Sequence, residues 1–320
     1  MLETHDPHGS VMQSISDHHL WLKRDDVLAA QIDELFQGTA RIRKGRVPDD
    51  DQRPWSSIDE GRLLVLTGAP GAGKSFAMRH HLRRMQDRYP SLRCLSAVAP
   101  GTCTLRQLGV SILMEMGRPV RSSARENEVW EHVRTVIEVA KIDMLYLDEA
   151  QHVAQSRNWL ESQKVRDTLK GLVQGRRPVS IILSGMEEIA DLVKADRQLL
   201  RRASFATFGR LEHAAVPRLA EYLTQMAEVK AGMRLSGRMS ADQLVERLLH
   251  ASEHQLGHFC DLLRAAINCA LNLSSPTLEP VHFAEVFRKQ YGSRNDENPF
   301  VLGDDWQEKL AAARLEPASD

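Results

Sequence analysis

The segment Gly68-Ala69-Pro70-Gly71-Ala72-Gly73-Lys74-Ser75 restricts the possible folds more than any other stretch of the chain. An apolar run, Leu63 to Leu66, precedes it, and a helix-compatible segment from Phe76 to Tyr89 follows. Strand, glycine loop and helix in that order, with the spacing G-x-x-x-x-G-K-S, read as a phosphate-binding loop. Glycines let the backbone curl until its N–H groups converge on phosphate oxygens. The positive end of the following helix adds to that field. In this arrangement Lys74 reaches the β and γ phosphates and the Ser75 hydroxyl is placed to ligate Mg²⁺.

A second stretch is the natural partner of the first. Ile142-Asp143-Met144-Leu145-Tyr146-Leu147-Asp148-Glu149 is an apolar strand ending in two acids. In a parallel sheet the strand ends gather at one edge, where ligands sit. There Asp148 can hold the Mg²⁺ shell and Glu149 can orient and deprotonate an attacking water. Val179–Leu183 is another short buried strand, and Ser184 follows it. Ser184 can touch a γ-phosphate or the lytic water, or it can be an ordinary turn residue.

The remainder of the chain fits this frame. Residues 1–20 are polar and read as loosely ordered. A helix is expected from Leu22 to Phe36, closed near Gly38. The basic cluster Arg41 to Arg46 reads as a solvated loop or as a contact to phosphate backbone. Residues 47–58 make a linker rich in proline and aspartate. Strands and helices then alternate through residue 211, with a strand at Leu92–Val98, helices from Leu105 and from a Ser123–Glu126 capping box, and a last strand at Phe205–Leu211. That alternation means a parallel α/β sheet with helices on both faces. After Pro217 only helical patterns remain, and a polar tail from 291 carries Trp306 as an exposed candidate anchor. The expected domains are 1–60 (N-terminal helix, basic segment and linker), 61–213 (nucleotide-binding core), 214–290 (small all-α lid) and 291–320 (partner-binding tail).

Composition limits the alternatives. The 320 residues carry a formal net charge of −1, which excludes a uniformly basic coat for nucleic acid but not a local basic groove. The four cysteines are scattered, with no C-x-x-C, and read as reduced thiols. Adjacent histidines (His18-His19, His80-His81) point apart on a helix and do not read as a metal site. No apolar stretch approaches the roughly 18 residues of a membrane span, and a cytoplasmic chain is the expectation.

Taken together, Gly68–Ser75, Asp148-Glu149-Ala150-Gln151-His152, Ile182-Leu183-Ser184-Gly185-Met186 and Gln198-Leu199-Leu200-Arg201-Arg202 resemble the AAA+ ATPases over residues 61–290. Within them the chain looks most like the TniB/TnsC transposition ATPases, relatives of the phage Mu B protein. The resemblance implies an ATP- and Mg²⁺-dependent homo-oligomer, a ring or helical filament, in which an arginine enters the neighbour's site. Arg202 matches that position, with Arg201 next. It also implies that duplex DNA is gripped through its backbone without sequence readout, with Thr102, Arg106, Arg118 and Arg121 as candidate contacts. A transposase and a TniQ-like adaptor are the implied partners. The chain departs from the general pattern in the lid, where Cys260 stands three residues after Gly257 and Arg264 follows one turn later. Two other readings stay open. One is a secretion or loader-type AAA+ ATPase acting on a protein partner. The other is a small-molecule kinase, which the adjacent Asp148-Glu149 pair fits less well because it suits water activation.

Overall fold

A computed structural model describes residues 7–45, 60–101, 103–155, 159–175 and 177–313. The expected linker at 47–58, Thr102, Arg46 and the end of the tail lie outside the described residues. The chain forms two compact units, Lys23–Phe208 and a second built from Met1–Leu22 with Gly209–Asp320. Helix α1 (Pro7–Ser16) opens the chain and belongs to the second unit.

The first unit runs α2 (Lys23–Gly45), β1 (Leu63–Gly68), α3 (Lys74–Arg88), β2 (Cys94–Val98), α4 (Leu105–Glu115), α5 (Glu126–Val139), β3 (Met144–Asp148), α6 (Gln151–Ala154), α7 (Trp159–Gln174), β4 (Ser180–Gly185), α8 (Glu187–Lys194), α9 (Arg197–Leu200) and β5 (Ala203–Phe208). The five strands form one parallel sheet in the order β2-β3-β4-β1-β5. Side chains alternate across it, as the pleat requires. Leu64, Leu66, Tyr146 and Ile182 pack with Leu28, Ile32, Phe36 and Met78 from α2 and α3. Leu63, Val65, Leu145 and Leu183 pack with Ile112, Val133, Leu169 and Ile189 from α4, α5, α7 and α8. The sheet is buried on both faces, which explains the near-continuous apolar runs of its central strands. The expected α/β architecture is therefore present.

Several local expectations need correction. Helix α2 does not stop at Gly38. The Thr39 hydroxyl donates to Leu35 O (2.8 Å) and meets Ser180 Oγ (2.7 Å), and Ile42 is buried, so the helix stays on the sheet to Gly45. Residues 41–45 of the basic cluster are thus helical, not a loop. Arg43 turns inward, its guanidinium 2.6 Å from buried Asp143, which also pairs with Arg177 at 3.0 Å. Helix α5 starts at Glu126 with Arg125 as N-cap, not Ser123, and the Glu128 carboxylate accepts from Arg125 N–H at 2.8 Å. Strand β5 ends at Phe208 because its pairing with β1 runs out at Gly68.

The second unit is helical. It contains α10 (Val216–Thr224), which continues into a π-helical stretch at Gln225–Lys230, then α11 (Ala241–Ala251), α12 (Leu256–Asn272), α13 (Pro280–Tyr291) and α14 (Trp306–Ala313). It is not purely α: β6 (Arg234–Leu235) and β7 (Thr277–Leu278) pair in parallel. Within the stretch 1–20, the described residues from 7 onward are not loose, since Ile15 and Leu20 sit in the same core as Leu219, Phe259 and Phe283. The tail is likewise part of the unit. Asn298 Nδ2 donates to Ala284 O at 2.9 Å, and Arg247 donates to Leu302 O (2.8 Å) and Gly303 O (3.0 Å). Trp306 is buried, its ring 5.2 Å from that of His250 and 5.4 Å from the Arg247 guanidinium. The expectation of an exposed anchor fails because a large aromatic stabilises most by covering apolar surface. Trp306→Ala should therefore destabilise the protein by about 3 kcal/mol in urea unfolding. An anchor held in solvent would leave the midpoint unchanged.

Candidate functional site

Strand β1 delivers the glycine loop at the carboxyl edge of the sheet, between β4 and β5. Gly71 (φ 73°) and Gly73 (φ 90°) occupy the left-handed region that a Cβ makes unfavourable. Gly73 is the N-cap of α3 and offers no side-chain acceptor to the first N–H groups of the helix. An uncapped helix start inside a glycine loop is a site for an anion. Lys74 is buried, and its ammonium lies across the loop, donating to Gly68 O (2.7 Å) and Ala69 O (3.0 Å). Burial pushes its pKa down, and Glu149 and Asp148 oppose that shift. Both acids are thus within electrostatic reach of the ammonium. Ser75 follows in the first turn of α3.

The acids stand where β3 ends. Asp148 is buried, and its Oδ1 accepts the Glu149 N–H at 3.0 Å. Glu149 has φ 53°, a left-handed conformation that costs a non-glycine residue about 1 kcal/mol and turns the chain sharply into α6. Gln151 Nε2 donates to Glu149 Oε2 at 2.5 Å, while Gln151 Oε1 accepts the Met186 N–H at 3.2 Å. Gln151 therefore ties the acid after β3 to the segment after β4. His152 Nε2 lies 4.0 Å from the same Glu149 oxygen. Ser184, on β4, is fully buried and its Oγ has no hydrogen-bond partner. The Tyr146 hydroxyl is also buried, and it too reaches no partner in hydrogen-bonding geometry. Burial, then the charge of Asp148, pushes the Tyr146 pKa upward, and the nearby Ser184 acts against them. Two buried hydroxyls close to one another and to a buried carboxylate, neither with a well-formed hydrogen bond, suit a polar, hydrated ligand, since such groups cost stability unless something satisfies them.

Lys74, Asp148, Glu149 and Ser184 thus lie at the same edge of the sheet. Arg202 does not face outward. Its side chain is 5% exposed, it pairs with Glu60, and Nη1 donates to Gln198 O. Arg201 is 64% exposed, with Glu60 at 4.0 Å. Of the two, Arg201 is the exposed side chain and Arg202 the enclosed one. Among the DNA candidates, Arg106 is committed internally, donating to Ala124 O (2.7 Å) and Ser122 O (2.8 Å). Arg118 and Arg121 are exposed on the loop that Arg106 holds. Arg264 pairs with Asp261 at 2.9 Å. Sequence reasoning missed Tyr146, Gln151 and Arg24. Tyr146 was visible as the one hydroxyl in an apolar strand. Arg24, whose Nη2 donates to Ala72 O at 2.7 Å, gave no local signal because it lies far before the loop.

Residues 58–193 match the family model described as AAA domain. No curated protein matches the chain in sequence. Among solved structures, the chain is similar to the ORC1 protein of Aeropyrum pernix in complex with DNA, with TM-score 0.60, 17% identity, 90% of this chain and 70% of that chain covered. It is also similar to Drosophila ORC bound to DNA (0.54, 14%, 93% and 69%) and to CDC6P of Pyrobaculum aerophilum (0.53, 12%, 82% and 68%). At these identities the likeness is one of fold, an AAA+ sheet followed by a helical region. No helix among the described residues is long and apolar enough to cross a membrane.

Two expectations follow from the buried polar groups. Ser184→Ala should change unfolding free energy by no more than about 0.5 kcal/mol, or raise it, because the hydroxyl it removes is unpaired. Thermal melts check this, and a large loss would mean that Ser184 is structural. Arg202→Ala should destabilise by about 1–2 kcal/mol at neutral pH, a modest value because Glu60 is one-third exposed. Glu60 is held below its ordinary value, chiefly by the hydrogen bond from Arg202. Its contribution is therefore complete above the unfolded carboxyl pKa of about 4.3 and is lost as pH falls through the folded value. The gap between wild type and variant should close in acid.

Proposed function

We propose that the chain is an AAA+ ATPase whose nucleotide state controls an oligomer on duplex DNA. The observation that carries this reading is the convergence of Lys74, Asp148, Glu149 and Ser184 at one sheet edge beside the uncapped start of α3. Each does what that position requires. The loop N–H groups and Lys74 bind the phosphates, and Lys74 exchanges the carbonyls of Gly68 and Ala69 for phosphate oxygens. Ser75 and Asp148 would hold Mg²⁺, which would supply neutralisation of phosphate charge. Glu149 orients water and takes its proton, and Gln151 fixes the carboxylate in position. Ser184 donates its unpaired hydroxyl to the γ-phosphate or to that water. Arg201 of a neighbouring copy approaches the same phosphate and offsets its developing charge.

DNA contact is assigned to Arg118 and Arg121, with Arg106 bracing their loop and Thr102 beside it in sequence. Two exposed arginines per copy make a weak site that repetition in a ring or filament would strengthen. The motif set supports the finer reading that this oligomer selects target DNA and engages a transposase through a TniQ-like adaptor. The internal commitment of Arg106 thins the DNA surface. It favours, as a second reading, a loader or secretion type ATPase acting on a protein partner.

Purified protein should hydrolyse ATP and assemble on duplex DNA with ATP at low salt, dispersing as salt rises. Lys74→Ala should abolish nucleotide binding, and Glu149→Gln should bind ATP yet reduce turnover at least about 100-fold. Hydrolysis by Glu149→Gln at the wild-type rate would remove that residue as the base. A monomer under all these conditions would defeat the oligomer. Reversing the charge of Arg118 and Arg121 with no change in DNA affinity would select the protein-partner reading.

A further inference from the structure

The helix that opens the first unit, α2, reaches the phosphate loop with an arginine side chain. Arg24, in the first turn of α2, donates from Nη2 to Ala72 O at 2.7 Å, and its guanidinium carbon lies 4.1 Å from the centroid of the Phe208 ring. Phe208 ends β5 directly beside the loop. A Cβ at Gly68 would lie 2.7 Å from Phe208 O and 3.4 Å from the Ala72 side chain. Loop, strand end and arginine therefore form one close-packed corner.

The consequence lies in the peptide joining Ala72 to Gly73. A trans peptide is planar, and its C=O and N–H point in opposite directions. Holding Ala72 O from the α2 side directs the Gly73 N–H to the opposite side. Gly73 has φ 90° and could otherwise rotate with little steric resistance. Ala72 N–H is already committed to Ala69 O at 3.1 Å, so the carbonyl grip of Arg24 sets the remaining freedom of this peptide. We infer that Arg24 is a positioning residue for nucleotide binding: it fixes the 72–73 peptide so that the Gly73 N–H is presented to the β-phosphate. This rests on the nucleotide-binding reading of the loop. Arginine suits the task because its planar fork donates along its edge while its face stacks on Phe208. A lysine at 24 would retain the charge but not both contacts.

Calorimetric titration with ADP and ³¹P NMR of bound ADP test the inference on the full chain. Arg24→Ala should weaken ADP binding about ten-fold, the loss of one charge-assisted hydrogen bond, and should move the β-phosphorus resonance while the α-phosphorus stays in place. Arg24→Lys should fall between wild type and Arg24→Ala and move the same resonance; it carries the test if the alanine variant does not fold. A role limited to bracing α2 would lower the melting temperature and leave ADP affinity and the β-phosphorus signal as in wild type, and that result overturns the inference. Full wild-type binding by Arg24→Lys with an unmoved signal overturns it as well, because charge alone would then suffice. A wild-type chain that binds no ADP would overturn the nucleotide reading itself.

Discussion

Strand β1 is hydrogen-bonded on both sides to parallel neighbours, β4 at one edge and β5 at the other. Because all five strands point the same way, whatever follows each one emerges at the same edge of the sheet. The glycine loop follows β1, the acid pair ends β3, Ser184 closes β4, and Phe208 ends β5. Nothing in the local sequence of any of these segments brings them together. Their proximity is a property of the pairing, and a shift of one residue in β1 would turn Lys74 and its loop away from Asp148. Because both faces of the central strands are apolar, polarity does not fix that register; a slipped strand is opposed by the fit of particular side chains into the layer on each face.

How much of this was legible in the sequence depended on whether the signal was local. The loop and the acid pair could be read directly, because spacing and strand context sit within about a dozen residues. Helix α8 carries a signal of the same local kind, two glutamates at its start and Lys194 at its end, matching the helix dipole. The inward turn of Arg202 could not be read because its environment is not local: Glu60 lies far back in the chain, and an arginine next to an exposed arginine looks the same in sequence whether it turns in or out. Helix α2 was cut short at Gly38 because glycine is a frequent stop, yet the Thr39–Ser180 contact that carries the helix onward joins residues far apart in the chain. Trp306 was misplaced since the Arg247 and His250 side chains that cover it belong to a helix some sixty positions away. These were failures of tertiary context rather than of propensity.

The same distinction separates the two kinds of buried polar group in the first unit. Asp143 is satisfied: Arg43, Arg177 and the Arg93 N–H surround its carboxylate, so it holds the start of β3 against the end of α2. Tyr146 and Ser184, on the central strands, lie near each other and near Asp148 without a well-formed hydrogen bond. Were the sheet only a scaffold, selection for stability would favour phenylalanine and alanine at these two places, because an unpaired buried hydroxyl costs about 1–3 kcal/mol. The left-handed Glu149 and the half-desolvated Lys74 add further strain at the same edge. Four destabilising features within one corner, and satisfied charges at the opposite end of the sheet, mark which end binds a ligand. Gln151 then has a defined part: by linking Glu149 to Met186, it makes the position of the acid depend on the segment that follows Ser184.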